Sequence, residues 1–384
     1  MKRKTISILV FDLSSNALVR TYPIAKTLSQ SFEVEIIGVL VGTEIYNPYQ
    51  HEFKYKVIKK SKKYGKIFGY FNVIKNIILA IEGDIIYAFK PKLFSFGVGL
   101  IAKVLLKLPL VLDIEDLETA NWTGQSLLTK IKLTFSRFDS NNEFIDYFLE
   151  RLIGLSDEKI VVSNFLQNKF GGIKIVHGAD TNTFDPSVLS KSEARDILGL
   201  DDKLNYILFS GMPREHKGVE ELIQAVVNLK LKNLRLLIVG GNIQHEYYKK
   251  LILLGGKYIQ SFGPRPHSEM VTFLAATDIV VLPQRKTLFS QAQIPAKVFE
   301  AMAMAKPIIS TNVSDLPEIL DGCGVIINQN TDTKTLEKQI KILLTDEIRS
   351  SAIGLQARKK CVSEYSWESM EKKLIPIFER LFKK

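Results

Sequence analysis

Short apolar runs alternate with longer segments of helical spacing along most of the chain. The apolar runs predict strands at 6–11, 34–41, 84–89, 108–114, 159–163, 173–176, 205–209, 234–239, 259–262, 279–282 and 308–311. The helical spacing predicts helices at 18–28, 71–81, 96–106, 190–198, 219–229 and 268–275, and others that begin near Pro295, Leu316 and Trp367. Strands and helices that alternate in this way predict an α/β fold with parallel sheets covered on both faces.

The length of the chain predicts two such domains, because one hydrophobic core rarely organises 384 residues. We place the first domain at 1–187 and the second at 188–365, with the polar, turn-rich segment 177–186 as the connection between them. The last helix, 366–384, carries an apolar stripe that needs a surface to pack on. The helix could pack on the second domain, to which it is joined, or on the first domain.

The formal net charge of +11 and a pI near 9.3 favour anionic partners, which include nucleotide phosphates, anionic lipids, polyanionic glycans and nucleic acids. Much of the excess lies in 54–71, where seven lysines without an acid are interleaved with aromatic residues. This segment predicts peripheral contact with an anionic membrane, and a solvated lysine-rich loop is the alternative. No recognition helix or aromatic single-strand motif stands out, so nucleic-acid binding is disfavoured.

Cysteine usage and the apolar segments favour a cytoplasmic location. The two cysteines, Cys323 and Cys361, lie far apart and lack metal-ligand spacing, which favours a reducing compartment and disfavours zinc. The basic and apolar N-terminus is interrupted by Asp12 and lacks a cleavage site, so we predict a strand there rather than a signal peptide. The apolar tract 93–112 is broken by two lysines and a proline, which disfavours a membrane span.

Polar residues follow two of the strands predicted for the first half. The turn after the first strand lacks the G-x-G-x-x-G fingerprint of dinucleotide binding, but Ser14, Ser15 and Asn16 could contact a ligand there. A helix N-cap is the alternative for at least one of them. Glu115 and Asp116 follow the strand 108–114, where residues line the ligand crevice of open α/β sheets. They are candidates for contact with sugar hydroxyls, or for a capping or loop role.

Two segments of the second half predict an anion site. The strand 205–209 leads into a loop that holds Gly211, Arg214 and Lys217, and cations combined with backbone N–H groups suit a phosphate. Pro295 suits the first position of a helix, whose first turn would carry Lys297, with Glu300 one turn further on. A carboxylate there could accept two hydrogen bonds from a ribose diol. An ordinary surface pair at i, i+3 is the alternative for these two residues.

The second of these segments also carries a resemblance. Its pattern P-x-K-x-x-E-A-M-A-x-x-K-P-I-I-x-T, followed by L-P-E-I, resembles the donor-binding segment of retaining family 4 glycosyltransferases. FSGMPREHKGVEELIQAV, LRLLIVGG and the stretch around FGPRPHSEMVTFLAATDIVVLP agree with the same family. The resemblance implies the GT-B fold, in which two Rossmann-like doubly wound domains face a central cleft. It also implies that the last helix packs back on the first domain.

Residue roles follow from the resemblance at the matching positions. It implies that Lys217, assisted by Arg214, contacts the donor diphosphate and carries the catalysis, while Glu300 holds the ribose hydroxyls. Lys297 would face the phosphates or the sugar, and Gly211 and Gly263 would complete the donor-binding set. Two positions depart from the common pattern, which has an arginine at Met212 and a glutamate at Ala292.

The activity implied is transfer of a sugar, with retention of anomeric configuration, from a nucleoside-diphosphate sugar to a hydroxyl of a glycan or lipid-linked acceptor. Such a reaction belongs to the synthesis of cell-surface polysaccharides or glycoconjugates, at the inner face of the cell membrane. No Asp-x-Asp pair follows a strand, so we expect no metal and no other cofactor. A nucleotide-sugar epimerase of the same architecture and a catalytically degenerate, nucleotide-sugar-binding subunit are the alternatives.

Overall fold

The computed structural model describes residues 4–46, 49–51, 53–59, 66–120, 142–328 and 333–383. The chain divides into two compact units. Unit 1 comprises Met1–Val176 and Met370–Lys384, and unit 2 comprises His177–Ser369. The change of unit at 176/177 comes earlier than the domain boundary predicted at 187/188, so the segment predicted as the connection lies within unit 2.

Unit 1 contains a parallel sheet of seven strands in the order β3-β2-β1-β4-β5-β6-β7. Its strands are β1 Thr5–Val10, β2 Glu33–Leu40, β3 Tyr55–Lys59, β4 Ile85–Phe89, β5 Leu110–Ile114, β6 Glu158–Val161 and β7 Ile173–Lys174. The helices between them are α1 Leu18–Leu28, α2 Lys66–Ala80, α3 Val98–Leu106, α4 Glu143–Arg151 and α5 Asn164–Phe170, with a π-helical turn at Leu93–Gly97 before α3. Strands β4 and β5 are buried along their whole length, which explains their unbroken apolar runs.

Unit 2 repeats the arrangement with six parallel strands in the order β10-β9-β8-β11-β12-β13. Its strands are β8 Asn205–Ser210, β9 Leu234–Val239, β10 Ile259–Gly263, β11 Ile279–Leu282, β12 Ile308–Thr311 and β13 Val325–Ile327. Its helices are α6 Lys191–Leu198, α7 Val219–Leu229, α8 Glu246–Gly255, α9 Met270–Ala276, α10 Leu288–Ala292, α11 Lys297–Ala303, α12 Leu316–Ile319, α13 Thr333–Thr345 and α14 Glu347–Lys360. A π-helical turn, Cys361–Tyr365, then leads to the last helix, α15 Trp367–Leu381.

The strand order fixes where each sheet can receive a ligand. In unit 1 the chain winds outward from β1 in one direction and from β4 in the other, and in unit 2 it winds outward from β8 and β11. Open α/β sheets bind ligands outside the carboxyl ends of the strands at such a switch point. The residues that follow β8 and β11 are therefore the first place to look for a site in unit 2.

The last helix supplies part of the core of unit 1. Phe378 lies 6.2 Å from Phe32 and 6.1 Å from Tyr87, measured between ring centroids. Near the end of α15, Arg380 pairs with Glu158 at 2.5 Å. Phe378 of this helix is thus buried against Tyr87 of β4 and against Phe32, the residue before β2.

Two predicted features of the fold are wrong. The sequence pattern missed β3 and left a loop as one reading of the lysine-rich segment, but 55–59 form the edge strand of the sheet. Lys56 on this strand pairs with Glu35 at 2.5 Å and with Glu82 at 3.0 Å, and the lysine-rich part at 60–65 lies outside the described residues. The helix expected to start at Pro295 starts at Lys297 instead, with Ala296 at the N-cap.

Candidate functional site

The loop after β8 folds tightly over the ends of the neighbouring strands. Gly211 has φ +109°, which favours glycine, and its N–H donates to the carbonyl of Val239 at 2.6 Å. Gly240 approaches so closely that a Cβ there would lie 3.0 Å from the backbone of Gly211. At the end of β10, Gly263 has φ +61° and accepts a hydrogen bond from the N–H of Gly240 at 2.6 Å. The predicted donor-binding glycines, Gly211 and Gly263, therefore lie at the carboxyl ends of β8 and β10, the two strands on either side of β9.

Two lysines converge on this loop. The Lys297 amine donates a hydrogen bond to the carbonyl of Ser210 and occupies the space that a side chain on Gly211 would need. The Lys217 amine lies 3.9 Å from the position of a Cβ on Gly211. Burial lowers the pKa of Lys297 to about 8, although the neighbouring Glu300 carboxylate acts to raise it. The arrangement places two cationic groups beside a glycine backbone, as an anionic ligand requires.

Glu300 lies one turn along α11 and is held by a histidine that the sequence pattern did not identify. The Nε2 atom of His267 is 2.8 Å from Oε1 of Glu300. Burial by itself would raise the pKa of Glu300, but His267, Lys297 and His177 together lower it below its ordinary value. Glu300 is therefore a largely buried, ionised carboxylate that can accept hydrogen bonds from a ligand.

Arg214 and Lys217 both lie close to His216. Burial, Lys217 and Arg214 together lower the pKa of His216 to about 4, so its ring is neutral at neutral pH. Arg214 is exposed, and its guanidinium lies 3.7 Å from the sulfur of Met212, which is also exposed. The two cations predicted for the diphosphate therefore both lie near His216 in the loop after β8.

The loop that carries Lys217 is fastened to the segment after β11. Arg285 donates its backbone N–H to the carbonyl of His216 at 2.8 Å. The guanidinium of Arg285 pairs with Glu221 at 2.6 Å and with Glu220 at 3.1 Å, both in the first turn of α7. Arg285 thus joins the carboxyl end of β11 to the helix that follows the loop. Sequence reasoning missed this residue, since its partners are 64 and 65 residues away.

Ala292, which departs from the family pattern, is the last residue of α10 and is fully buried. Its methyl group belongs to the packing of unit 2 and offers no polar atom to a ligand. The side chains of Lys297 and Glu300 supply the charged groups on this side of the site.

The three polar residues predicted in the first turn of unit 1 are organised by Asp12. The hydroxyl of Ser14 donates to the Asp12 carboxylate at 2.6 Å, and that of Ser15 donates to the Asp12 carbonyl at 2.9 Å. The N-cap of α1 is Ala17 without a side-chain cap, so the N-cap alternative for Ser14, Ser15 or Asn16 is wrong. Asn16 is exposed beside them.

Glu115 and Asp116 belong to a buried ionic cluster at the carboxyl ends of β4 and β5. The Lys90 amine pairs with Asp116 and lies 3.3 Å from Glu115 and 3.3 Å from Glu118. Burial raises the pKa of Asp116 to about 6, although Lys90 acts to lower it. Glu115 and Asp116 both lie in the loop after β5, and contact of either with a sugar hydroxyl stays a prediction.

A second lysine extends the same cluster. Lys92 pairs with Glu118 at 2.7 Å and with Asp146 at 2.6 Å. Burial raises the pKa of Asp146 to about 7. The cluster joins the residues after β4 to the first turn of α4, and the sequence pattern gave no signal for either lysine.

Comparison with protein families matches residues 190–360 to the model described as glycosyl transferases group 1. The matched segment covers the loop after β8, Arg285, Lys297 and Glu300.

Two curated relatives agree with this match. One is a GDP-mannose-dependent monoacylated alpha-(1-6)-phosphatidylinositol monomannoside mannosyltransferase of Corynebacterium glutamicum, 27% identical over 207 residues. That alignment covers 53% of this chain and 54% of the relative, so it spans about half the relative's length. The other is an uncharacterized glycosyltransferase of Methanocaldococcus jannaschii, 25% identical over 347 residues and 88% of each chain.

Solved structures extend the likeness to the whole chain. The HepE protein of Anabaena, solved with UDP and glucose, matches with a TM-score of 0.74 at 18% identity over 98% of this chain and 99% of that one. Together with the two parallel sheets, this likeness confirms the predicted GT-B fold.

Proposed function

We propose that this chain, whose residues 190–360 belong to the glycosyl transferases group 1, is a glycosyltransferase that uses a nucleoside-diphosphate sugar as donor. The observation that carries the proposal is the meeting of Lys217 and Lys297 at the Gly211 loop, with the ionised Glu300 on the same helix as Lys297. A diphosphate needs the cations and a ribose diol needs the carboxylate, so one ligand satisfies both parts of the site.

In the proposed reaction, the bond between the anomeric carbon and the donor diphosphate breaks while an acceptor hydroxyl attacks the same face of the sugar, and the hydroxyl proton passes to the departing diphosphate. Negative charge develops on the departing diphosphate, and Lys217 and Arg214 stabilise it from the loop after β8. Such preplaced groups act on the transition state because the charge forms where they already point. Glu300 holds the ribose, and Lys297 contributes charge next to Ser210 and Gly211. Attack on the same face retains the anomeric configuration.

We propose a hydroxyl of a glycan or lipid-linked molecule as the acceptor, in the synthesis of cell-surface polysaccharide or glycoconjugate. The relative from Corynebacterium glutamicum, whose name describes transfer of mannose to a phosphatidylinositol mannoside, supports a lipid-linked acceptor. HepE, solved with UDP and glucose, supports a nucleoside-diphosphate hexose as donor. Contacts of Ser14, Ser15, Asn16, Glu115 and Asp116 with the acceptor or the sugar stay predictions, as does a cytoplasmic location.

A thermal-shift screen against nucleoside diphosphates and their sugars tests the donor proposal, since a ligand that binds only the folded state raises the melting temperature. We expect one nucleoside diphosphate to stabilise the chain, and Glu300→Ala to abolish that shift. Absence of a shift with every nucleotide would contradict the proposal. With the donor known, transfer to an acceptor or slow donor hydrolysis supports a transferase, an epimeric product supports the epimerase alternative, and binding without turnover supports the degenerate subunit.

We also propose that the reaction needs no metal and no other cofactor. Lysine and arginine then carry the charge that a divalent ion would otherwise neutralise on the diphosphate. We expect turnover in a millimolar excess of EDTA to stay within about twofold of turnover with added Mg²⁺. A loss of turnover with EDTA that Mg²⁺ restores would show that these side chains need a metal partner.

His267 is expected to act on the donor through Glu300. Replacing His267 by alanine removes the 2.8 Å contact that orients the carboxylate and helps to keep it ionised. A hydrogen bond to a charged group is worth about 1.5–3 kcal/mol, so we expect the donor KM to rise about tenfold with little change in kcat. His267→Gln, whose amide can donate to Glu300, should recover most of the affinity. Equal losses in both variants, or a fall in kcat alone, would argue against this positioning role.

Lys297 should make donor affinity and stability respond to pH in opposite directions. Its pKa is about 8 in the folded chain and about 10.4 in an unfolded one, so between these values the unfolded chain binds more protons. Without ligand, the free energy of unfolding should therefore rise from pH 8 to 10. Nucleotide affinity should fall over the same range, because the site loses a positive charge. Titration calorimetry at several pH values checks this, and Lys297→Met should flatten the decline in affinity.

A further inference from the structure

Exposed apolar side chains of unit 1 gather on two adjacent helices, α2 and α3. Residues Phe71, Lys75 and Leu79 recur every four positions along α2 and are all exposed, so they form one outward stripe. Leu79 is 70% exposed and Phe71 66% exposed, values that a side chain in a core would not reach. This stripe is an apolar surface with a lysine in its middle.

Helix α3 packs against α2 and also exposes apolar side chains. Val104 is 75% exposed and Leu105 is 65% exposed, with Ile101 and Leu106 exposed beside them. We call the exposed residues of the two helices the α2–α3 face; they are Phe71, Lys75, Leu79, Ile101, Val104, Leu105 and Leu106. Contiguous exposed apolar surface of this kind marks a place where a protein or a membrane binds.

The helices of the α2–α3 face carry positive charge, and the exposed Glu82 that follows α2 is paired with Lys56 at 3.0 Å. Neither α2 nor α3 contains an aspartate or glutamate, whereas Lys75 lies on the stripe and the exposed Lys107 follows α3 directly. Lys103 is already engaged, because its amine pairs with Asp157 at 2.8 Å. The charged residues of the two helices are lysines, and the neighbouring acids Glu82 and Asp157 are each paired with a lysine. Such an apolar face complements a bilayer with anionic lipids, which receives the apolar side chains and attracts the cations.

We propose that the α2–α3 face is the surface by which this chain lies on an anionic membrane. In the strand 55–59, which belongs to the segment first predicted to contact the membrane, Lys56 is paired with Glu35 and Glu82. The apolar side chains of the α2–α3 face are exposed instead and can enter lipid. Within the described residues no helix is long and apolar enough to cross a bilayer, so the contact is peripheral. The proposed membrane surface depends on the proposed function in one respect: a lipid-linked acceptor would be reached at the membrane.

Flotation with vesicles of phosphatidylcholine containing one quarter phosphatidylglycerol tests the proposal on the full chain. We expect binding at low salt and weaker binding to pure phosphatidylcholine. The double variant Val104→Glu/Leu105→Glu should lower the partition coefficient by about tenfold or more. Lys75→Gln should lower it by about fivefold on the anionic vesicles alone, the factor expected for one lysine at a charged surface.

The matched control is Leu253→Glu/Ile348→Glu, which adds the same charge at two highly exposed apolar positions of unit 2, on α8 and α14. This control should retain binding within about threefold. Equal losses in both double variants would reduce the effect to net charge and overturn the proposal. Absence of vesicle binding by the wild type would also overturn the proposal. So would a dimer, detected by light scattering, that dissociates only in Val104→Glu/Leu105→Glu. The nucleotide-induced thermal shift needs no vesicle, so it separates failure here from failure of the donor site.

Discussion

Replacing Lys217 by alanine should lower the rate of sugar transfer by about 100- to 1000-fold and leave the fold intact. The amine lies at the Gly211 loop, where the donor diphosphate is proposed to sit. A preplaced donor of this kind contributes about 3–4 kcal/mol to the transition state, since it meets charge that the ground state carries only in part. We therefore expect the loss mainly in kcat, measured with saturating donor and acceptor, and a smaller loss in nucleotide affinity.

Lys232→Ala is the matched control, because Lys232 is an exposed lysine of the same unit in the turn before β9. It should leave both kinetic parameters unchanged. Lys217→Arg should recover part of the rate, since the charge is kept while its position shifts. Full activity in Lys217→Ala, with an unchanged melting temperature, would remove Lys217 from the mechanism and leave Arg214 and Lys297 as the groups to test.

The regular elements of the fold follow from local pattern. Helices α1 and α7 and strands β9, β11 and β12 have the predicted bounds because apolar period and flanking turn residues agree at each. Strand β3 was missed because it is a short edge strand whose two lysines, Lys56 and Lys59, hide its apolar period. The start of α11 was misplaced because Pro295 signals only that a helix is near, and Ala296 already has helical angles at the N-cap.

Local pattern predicted an anion site at the loop after β8 and at the helix after Pro295, and the resemblance added the roles of individual residues toward a donor. Lys217, Lys297 and Glu300 lie within the segments that resemble the family. The structure adds that the two amines meet at Gly211 and that Glu300 contacts His267. The contact of His267 with Glu300 joins residues 33 positions apart and depends on how two loops meet, so no local pattern indicates it.

The ionic cluster of unit 1 shows the same limit. Glu115 and Asp116 follow a predicted strand, and for that reason they were predicted to lie near a ligand crevice. The sequence pattern did not predict that Lys90 and Lys92 pair with the carboxylates of this loop. Lys90 adopts φ +65°, an unusual backbone for a lysine, and from there its amine reaches the carboxylates after β5. Such a conformation depends on the surrounding chain and is not visible in composition or period.

Among single glycine-to-alanine changes in the loop after β8, Gly218→Ala should destabilise the chain most. Gly199→Ala is its matched control. Both glycines have φ +64°, so both substitutions carry the same backbone strain of about 1–2 kcal/mol. They differ in space, because a Cβ at Gly199 meets no atom within 4 Å, whereas one at Gly218 would overlap the carbonyl oxygen of Pro283. Overpacking of this kind adds about 1–3 kcal/mol.

We expect Gly199→Ala to lower the melting temperature by about 2–8 °C and Gly218→Ala by about twice that, on the scale of 2–4 °C per kcal/mol for a domain of this size. Gly218→Ala should also cost about tenfold in turnover, because relief of the overlap moves the loop that ends in Lys217 away from β11. Scanning calorimetry and the transfer assay measure the two effects. Equal shifts in the two variants would mean that the contact with Pro283 gives way at no cost, and that Gly218 is required for its backbone angle alone.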